Sequence, residues 1–239
     1  MILLTGQLRY DNGIVMVFGK EPGNLTGKDK KKFGIMMEKF GVYERFSCGE
    51  NLSVFADIYD ISHDRIQEIL EEVGLENAFK KAASDLSKGM KARLQLARTF
   101  LHSPQIIFLD EPTSGLDPQT MRGIHRIILE KKNAGCTIFL TTHNMLEATK
   151  LCDKVALLNE GKIVEEGNPE EIRRKYDYHK RIKIHLSDGE DIELYKGEQS
   201  AEKISELLKA GRIETIHSTE PTLESIFLEL TGKNLEENG

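Results

Sequence analysis

Residues 106–118 read IIFLDEPTSGLDP, and in them Asp110 and Glu111 follow four apolar residues without a break. A short apolar run of this kind reads as a buried strand, and here the strand ends in two adjacent carboxylates. That arrangement delivers acid groups to a magnesium–nucleotide site, where one carboxylate holds the metal side and its neighbour polarises a water. Acidic residues also close strands for solubility alone, so the pair needs context. Such a site further calls for a phosphate-gripping loop, G-x-x-x-x-G-K-[ST], whose backbone N–H groups cradle the phosphates. Gly-Lys occurs at Gly19-Lys20, Gly27-Lys28, Gly161-Lys162 and Gly232-Lys233, followed by Glu21, Asp29, Ile163 and Asn234. None is serine or threonine. The loop is not within these 239 residues.

The elements around the carboxylates alternate. Met1–Leu8 reads as the tail of a helix, closed by the turn signal Tyr10-Asp11-Asn12-Gly13. GIVMVFG (13–19) and FGIMM (33–37) have strand character. Ile66, Ile69, Leu70 and Val73 recur at helical spacing and stop at Gly74. A second helix starts near Ser87 and runs to Pro104, before the strand Gln105–Leu109. Asp117–Ala134 reads as a helix with Pro118 in its first turn, TIFLTT (137–142) as a buried strand, Asn144–Cys152 as a helix, and KVALL (154–158) as a strand. Strands alternating with helices predict a mostly parallel sheet. Beyond about residue 177 the pattern changes. RIKIHL and DIELY alternate as antiparallel strands around Ser187-Asp188-Gly189, and two amphipathic helices follow, the second carrying Leu223, Ile226, Phe227 and Leu230. The expected division is a domain over 1–177, helical over about 46–100, and a small α+β appendage over 178–239.

Composition narrows the function. A net charge of −6 argues against nucleic acid, whose phosphates call for a basic surface. Cys48, Cys136 and Cys152 show no metal-ligand spacing and suit a reducing compartment. No apolar run approaches 18 residues, so any membrane contact is expected to be peripheral.

Four blocks, LSKGMKARLQLAR (86–98), IIFLDEP (106–112), SGLD (114–117) and TTH (141–143), resemble in order and spacing the ATP-binding subunits of ABC transporters. The resemblance runs from Met1 to the C-terminus. It implies a P-loop NTPase fold, α/β, with ATP and Mg2+ as cofactors. Carried over by position, Asp110 is the magnesium-side carboxylate, Glu111 the general base and His143 the γ-phosphate contact. Ser114–Asp117, with Asp117 last, match the loop that communicates across a nucleotide-sandwich dimer. Ser87 and Gly89 match the signature that grips ATP held on the opposite subunit. Arg93 and the LAR of 96–98 keep the family's helix pattern.

Two positions depart from the family. The signature usually reads Leu-Ser-Gly-Gly-Gln and is LSKGM here, which keeps both phosphate-contacting residues. Glu38 falls where the family places a glutamine that reaches magnesium and the attacking water, and its oxygens can serve the same purpose. Together with EPTLESIFLELTG (220–232), these features resemble the branch that powers drug, antibiotic and bacteriocin exporters.

MILLTGQLRYDNGIVMVFGK (1–20) resembles the stretch that follows the phosphate loop, so the loop and its strand are expected upstream of Met1. The implied partners are a membrane permease, docked on the helical region and on Val42, Tyr43 and Phe46, and a second ABC subunit, identical or not. The implied place is the cytoplasmic face of the membrane. Three functions follow: the ATPase subunit of an exporter read from a short N-terminus, a non-catalytic partner that lends Ser87 and Gly89 to ATP on another subunit, or a soluble ABC ATPase. The single nucleotide domain and the exporter-like appendage speak against the third.

Overall fold

The computed structural model describes residues 1–37, 41–177, 181–195 and 197–232. The chain separates into two compact units, Met1–His143 and Asn144–Gly239. The expected junction near residue 177 follows the helix Pro169–Lys175 and lies within the second unit.

In the first unit the elements are α1 (Gly27–Lys30), β1 (Phe33–Met36), α2 (Cys48–Tyr59), α3 (Asp64–Glu72), α4 (Lys88–Phe100), β2 (Ile106–Asp110), α5 (Pro118–Asn133) and β3 (Thr137–Thr141). The three strands form a parallel sheet in the order β1-β2-β3, with Met36 beside Leu109 and Asp110 beside Thr141. Parallel strands need crossovers, and α4 and α5 supply helical ones in this unit. Every helix of this unit except α3 begins at a side-chain cap. Ser47 and Glu50 form a reciprocal capping box on α2, Ser87 caps α4, and Asp117 caps α5 ahead of Pro118. Leu94, Leu96, Phe100, Ile107, Leu109 and Ile124 are fully buried and form the middle of the unit. Gly34 lets β1 lie close to α4, since a methyl there would stand 2.5 Å from the Thr99 carbonyl oxygen.

Three readings differ from the structure here. Met1–Leu8 makes a single turn, with Thr5 N donating to Met1 O and Gln7 N to Ile2 O, rather than a helix; Gly6 takes φ +72° and ends it. GIVMVFG forms one bridge, Val17 with Lys20, because Phe18 and Gly19 both turn left-handed. β3 is an apolar strand that is not buried: no described strand pairs with its outer edge, and Phe139 is 42% exposed. An open, apolar edge of this kind is a template for pairing with another strand.

The second unit contains α6 (Met145–Leu151), β4 (Val155–Asn159), β5 (Lys162–Gly167), α7 (Pro169–Lys175), β6 (Arg181–Leu186), β7 (Asp191–Tyr195), α8 (Glu198–Lys209), β8 (Ile213–Thr219) and α9 (Leu223–Thr231). β4 and β5 pair antiparallel, and Val155 packs with Ile172, Leu223 and Ile226. β6 lies between β7 and β8, both antiparallel to it, and Ile184, Leu186 and Leu207 form the core beneath. β5 and β8 were not legible in the pattern. Glu165 and Glu166 interrupt the first and alternating polar residues dilute the second, and both strands lie at sheet edges.

His102 sets an acid limit on the first unit. Its ring stacks on Tyr59 at 3.9 Å, and Nε2 lies 2.9 Å from the Phe33 carbonyl oxygen, so Nε2 carries the proton. Nδ1 is buried without a partner. Burial holds the imidazole below its ordinary value near 6.5, outweighing the bond to Phe33. The unfolded chain therefore takes up this proton first as pH falls. The group contributes nothing above about pH 6.5, and stability declines below that until the folded imidazole itself titrates. We expect His102→Gln, which keeps a donor, to flatten the loss that sets in below pH 6.5 in chemical denaturation. Parallel curves for the two proteins would refute it.

Candidate active site

The in-phase pairing of β2 with β3 assembles the acidic end of the site. Thr141 Oγ1 donates to Asp110 Oδ1 at 2.5 Å, and the other Asp110 oxygen takes no hydrogen bond among the described residues. Glu111 leaves the strand with φ +49°, a left-handed conformation that costs a non-glycine residue about 1–2 kcal/mol. Three contacts hold it there. Its N–H donates to Thr141 O at 2.9 Å, its Oε1 accepts from His143 N at 2.9 Å, and its Oε2 lies 2.9 Å from His143 Nδ1. The Glu111 side chain is 21% exposed and that of His143 is 79% exposed. Strain held by surrounding contacts is characteristic of functional positions. The site therefore presents one carboxylate with a free oxygen, a second carboxylate pinned beside it, and an open imidazole.

The next residues turn the chain twice. Ser114 N donates to Glu111 O and Leu116 N to Thr113 O, with Thr113 buried and Gly115 at φ +62°. The loop delivers Asp117 to the start of α5, where its Oδ1 accepts from Gln119 N and Thr120 N, each at 3.0 Å. Hydrogen bonds from Thr120, side chain and then backbone, hold the Asp117 carboxyl below the usual carboxylate range.

Ser87 and Gly89 lie at the start of α4. Ser87 Oγ accepts from Met90 N at 3.2 Å, which leaves the hydroxyl proton to donate elsewhere. Gly89 lies so near α5 that a methyl on it would stand 2.5 Å from Thr120 Cγ2. The residues singled out in the sequence thus form two clusters linked by loop 111–117. Asp110, Glu111 and His143 meet at the ends of β2 and β3, while Ser87, Gly89 and Asp117 gather where α4 and α5 begin. Glu38 lies outside the described residues. Sequence reasoning missed Thr141 as the partner of Asp110; the only signal was the matched length of IIFLD and TIFLT, which does not set register.

Known proteins show the family to which the chain is similar. The profile of the family described as ABC transporter matches residues 1–114. The chain is 36% identical over 238 residues to the fluoroquinolones export ATP-binding protein of Mycobacterium tuberculosis, spanning 98% of this chain and 79% of that protein. It is 27% identical over 266 residues to the linearmycin resistance ATP-binding protein of Bacillus subtilis, spanning 98% of this chain and 86% of that one. A solved structure of an ATP-binding subunit of an ABC transporter superposes with a TM-score of 0.63 at 27% identity, over 73% of this chain and 75% of the other. With over a third of its residues shared with such a protein along nearly its whole length, the chain belongs to the ABC transporter family, among its ATP-binding, ATP-hydrolysing subunits.

Proposed function

We propose that the chain supplies the carboxylate, histidine and signature parts of the ATP site in an exporter of drugs or antibiotics, coupled to a membrane permease. The contact between Glu111 and His143, beside Asp110 with one free oxygen, carries the reading. The residues fit Mg2+ brought by a nucleotide. Among the described residues no group of three metal-ligating side chains occurs, and magnesium is commonly held by one or two carboxylates together with phosphate oxygens and water. Asp110 is the group that would hold it, directly or through water, and Glu38 is a second candidate. When bound, the ion neutralises phosphate charge. Glu111 accepts the proton of the attacking water, and the exposed imidazole of His143 contacts the terminal phosphate while its backbone steadies Glu111. Asp117, already an N-cap, holds the loop that faces a second subunit. Ser87 and Gly89 serve ATP held on that subunit. The exporter assignment is supported by the two relatives above, which are named for fluoroquinolones export and for linearmycin resistance.

The phosphate loop must come from outside these 239 residues, either from sequence ahead of Met1 or from a second subunit. The open edge of β3, beside Thr141 and His143, offers room for a further strand. A second reading, that the chain is a non-catalytic partner that only lends its signature, is supported by the Ser87 hydroxyl proton left to donate at the start of α4. The permease is expected on the first unit, where Tyr43 and Phe46 are exposed and Asn51 braces their loop through Tyr43 N, Tyr43 O and Phe46 O. A cleft of about 460 Å3 beside them is lined by Tyr43, Phe55, Tyr59 and Arg98 among others. No helix among the described residues is long and apolar enough to cross a membrane. Attachment to the cytoplasmic face is proposed to run through that permease.

The frame upstream of the Met1 codon distinguishes the first reading from the second. If it is open and encodes G-x-x-x-x-G-K-[ST], the extended chain is an ATPase. Mixed dimers in which one subunit carries Ser87→Arg then test the signature. Hydrolysis is expected to fall at least tenfold at the site on the unmutated subunit and to persist at the other. Loss at the mutated subunit's own site would overturn the trans role.

A further inference from the structure

Arg93 lies one turn after Gly89 on α4, so both residues occupy the same face of the helix. Their neighbours on α5, Gly123 and Thr120, are likewise one turn apart. A methyl on Gly123 would stand 2.7 Å from Arg93 Nη2, just as one on Gly89 would stand 2.5 Å from Thr120 Cγ2. The other arm of the guanidinium reaches the end of α3. Nη1 donates to Val73 O at 2.8 Å and lies 2.7 Å from where a methyl on Gly74 would be. One planar fork is therefore held between Gly74, just past the end of α3, and Gly123 of α5. No carboxylate of the described residues pairs with it; its charge faces the carbonyl end of α3, which favours a cation. A fourth close approach lies at the start of α4, since Lys88 Nζ stands 2.2 Å from the position of a methyl on Gly115.

We propose that Arg93 is a positioning residue for the nucleotide site served in trans. Wedged between Gly74 and Gly123, it sets the rotation of α4 against α5. It thereby sets where Ser87 and Gly89 are presented relative to the loop Ser114–Asp117. A shorter or non-planar side chain cannot fill both notches, so the tip of α4 would turn away from α5 while the core of the unit stays packed. The proposal rests on the reading of Ser87 and Gly89 as a trans signature.

The test uses mixed dimers of the full chain, extended to include its phosphate loop, with one subunit marked. Gly123→Ala removes no functional side chain and favours the helix, yet its methyl would meet Arg93 Nη2 at 2.7 Å and displace the guanidinium from its notch. Arg93→Lys keeps the charge and loses the fork. Both are expected to lower hydrolysis at least fivefold at the site on the unmutated subunit, to spare the mutated subunit's own site, and to leave the thermal midpoint within about 3 °C. Equal loss at both sites, or a loss that follows a fall in midpoint, would mean that Arg93 is merely structural. Unchanged hydrolysis at both sites would also overturn the proposal. Ser87→Arg in the same dimers is the control: if it too fails to act in trans, the signature reading has failed, and the Arg93 proposal goes with it.

Discussion

Replacing Glu111 by glutamine is expected to stop hydrolysis while leaving nucleotide uptake intact, in a chain that carries its phosphate loop. The amide keeps the shape of the carboxylate and one oxygen to accept from His143 N, now 2.9 Å away. The left-handed turn at residue 111 also keeps its bond to Thr141 O. What is lost is the ability to take a proton from water, and removing a general base costs about 100- to 10,000-fold in rate. Removing one negative charge beside a triphosphate leaves binding unchanged or tighter. The measurement is phosphate release at saturating Mg-ATP beside equilibrium binding of the same nucleotide. Turnover within about twofold of the parent would take the base role away from Glu111 and give it to another group.

A second large effect concerns affinity. The purified 239-residue polypeptide should hold Mg-ATP no better than about millimolar. A micromolar site is worth about 8 kcal/mol in all. A phosphate loop supplies several hydrogen bonds to charged oxygens at about 1.5–3 kcal/mol each, so losing three removes about 5–9 kcal/mol. The groups present in the chain cannot make up that difference. Asp110 and Glu111 are anionic and attract the nucleotide only through its magnesium, while Ser87 and Gly89 are proposed to face another subunit's ligand. Calorimetric titration of the chain alone should show no saturable uptake at micromolar concentrations, and supplying the loop should restore it. Tight magnesium-dependent binding by the polypeptide alone would reveal a phosphate site that none of the residues described here accounts for.

The parts of the site carried by contiguous motifs were readable before any coordinates. An apolar strand that ends in Asp110 and Glu111, a serine cap ahead of α4 and an aspartate cap ahead of Pro118 are each written within a few residues. Local hydrogen bonding and hydrophobic periodicity enforce them. The capped helices α4 and α5 and the strands β1 and β2 appear where that periodicity places them. Met1–Leu8 shows the limit of the approach, because one apolar turn followed by a left-handed glycine cannot repay the cost of nucleating a helix.

Contacts between segments distant in the chain were not readable. Whether Thr141 or its neighbour stands beside Asp110 depends on the register of β2 and β3, and a slip of one residue would turn every side chain to the other face. The exposure of β3 depends on what pairs with its outer edge, so the same apolar run serves equally as a buried strand or an open one. The notches at Gly74, Gly89 and Gly123 acquire meaning only when α3, α4 and α5 come close enough for a missing methyl to matter. The motifs state which chemical groups are present, over distances of a few residues that backbone geometry controls. Close packing of distant segments decides which of those groups meet, and no local pattern encodes it.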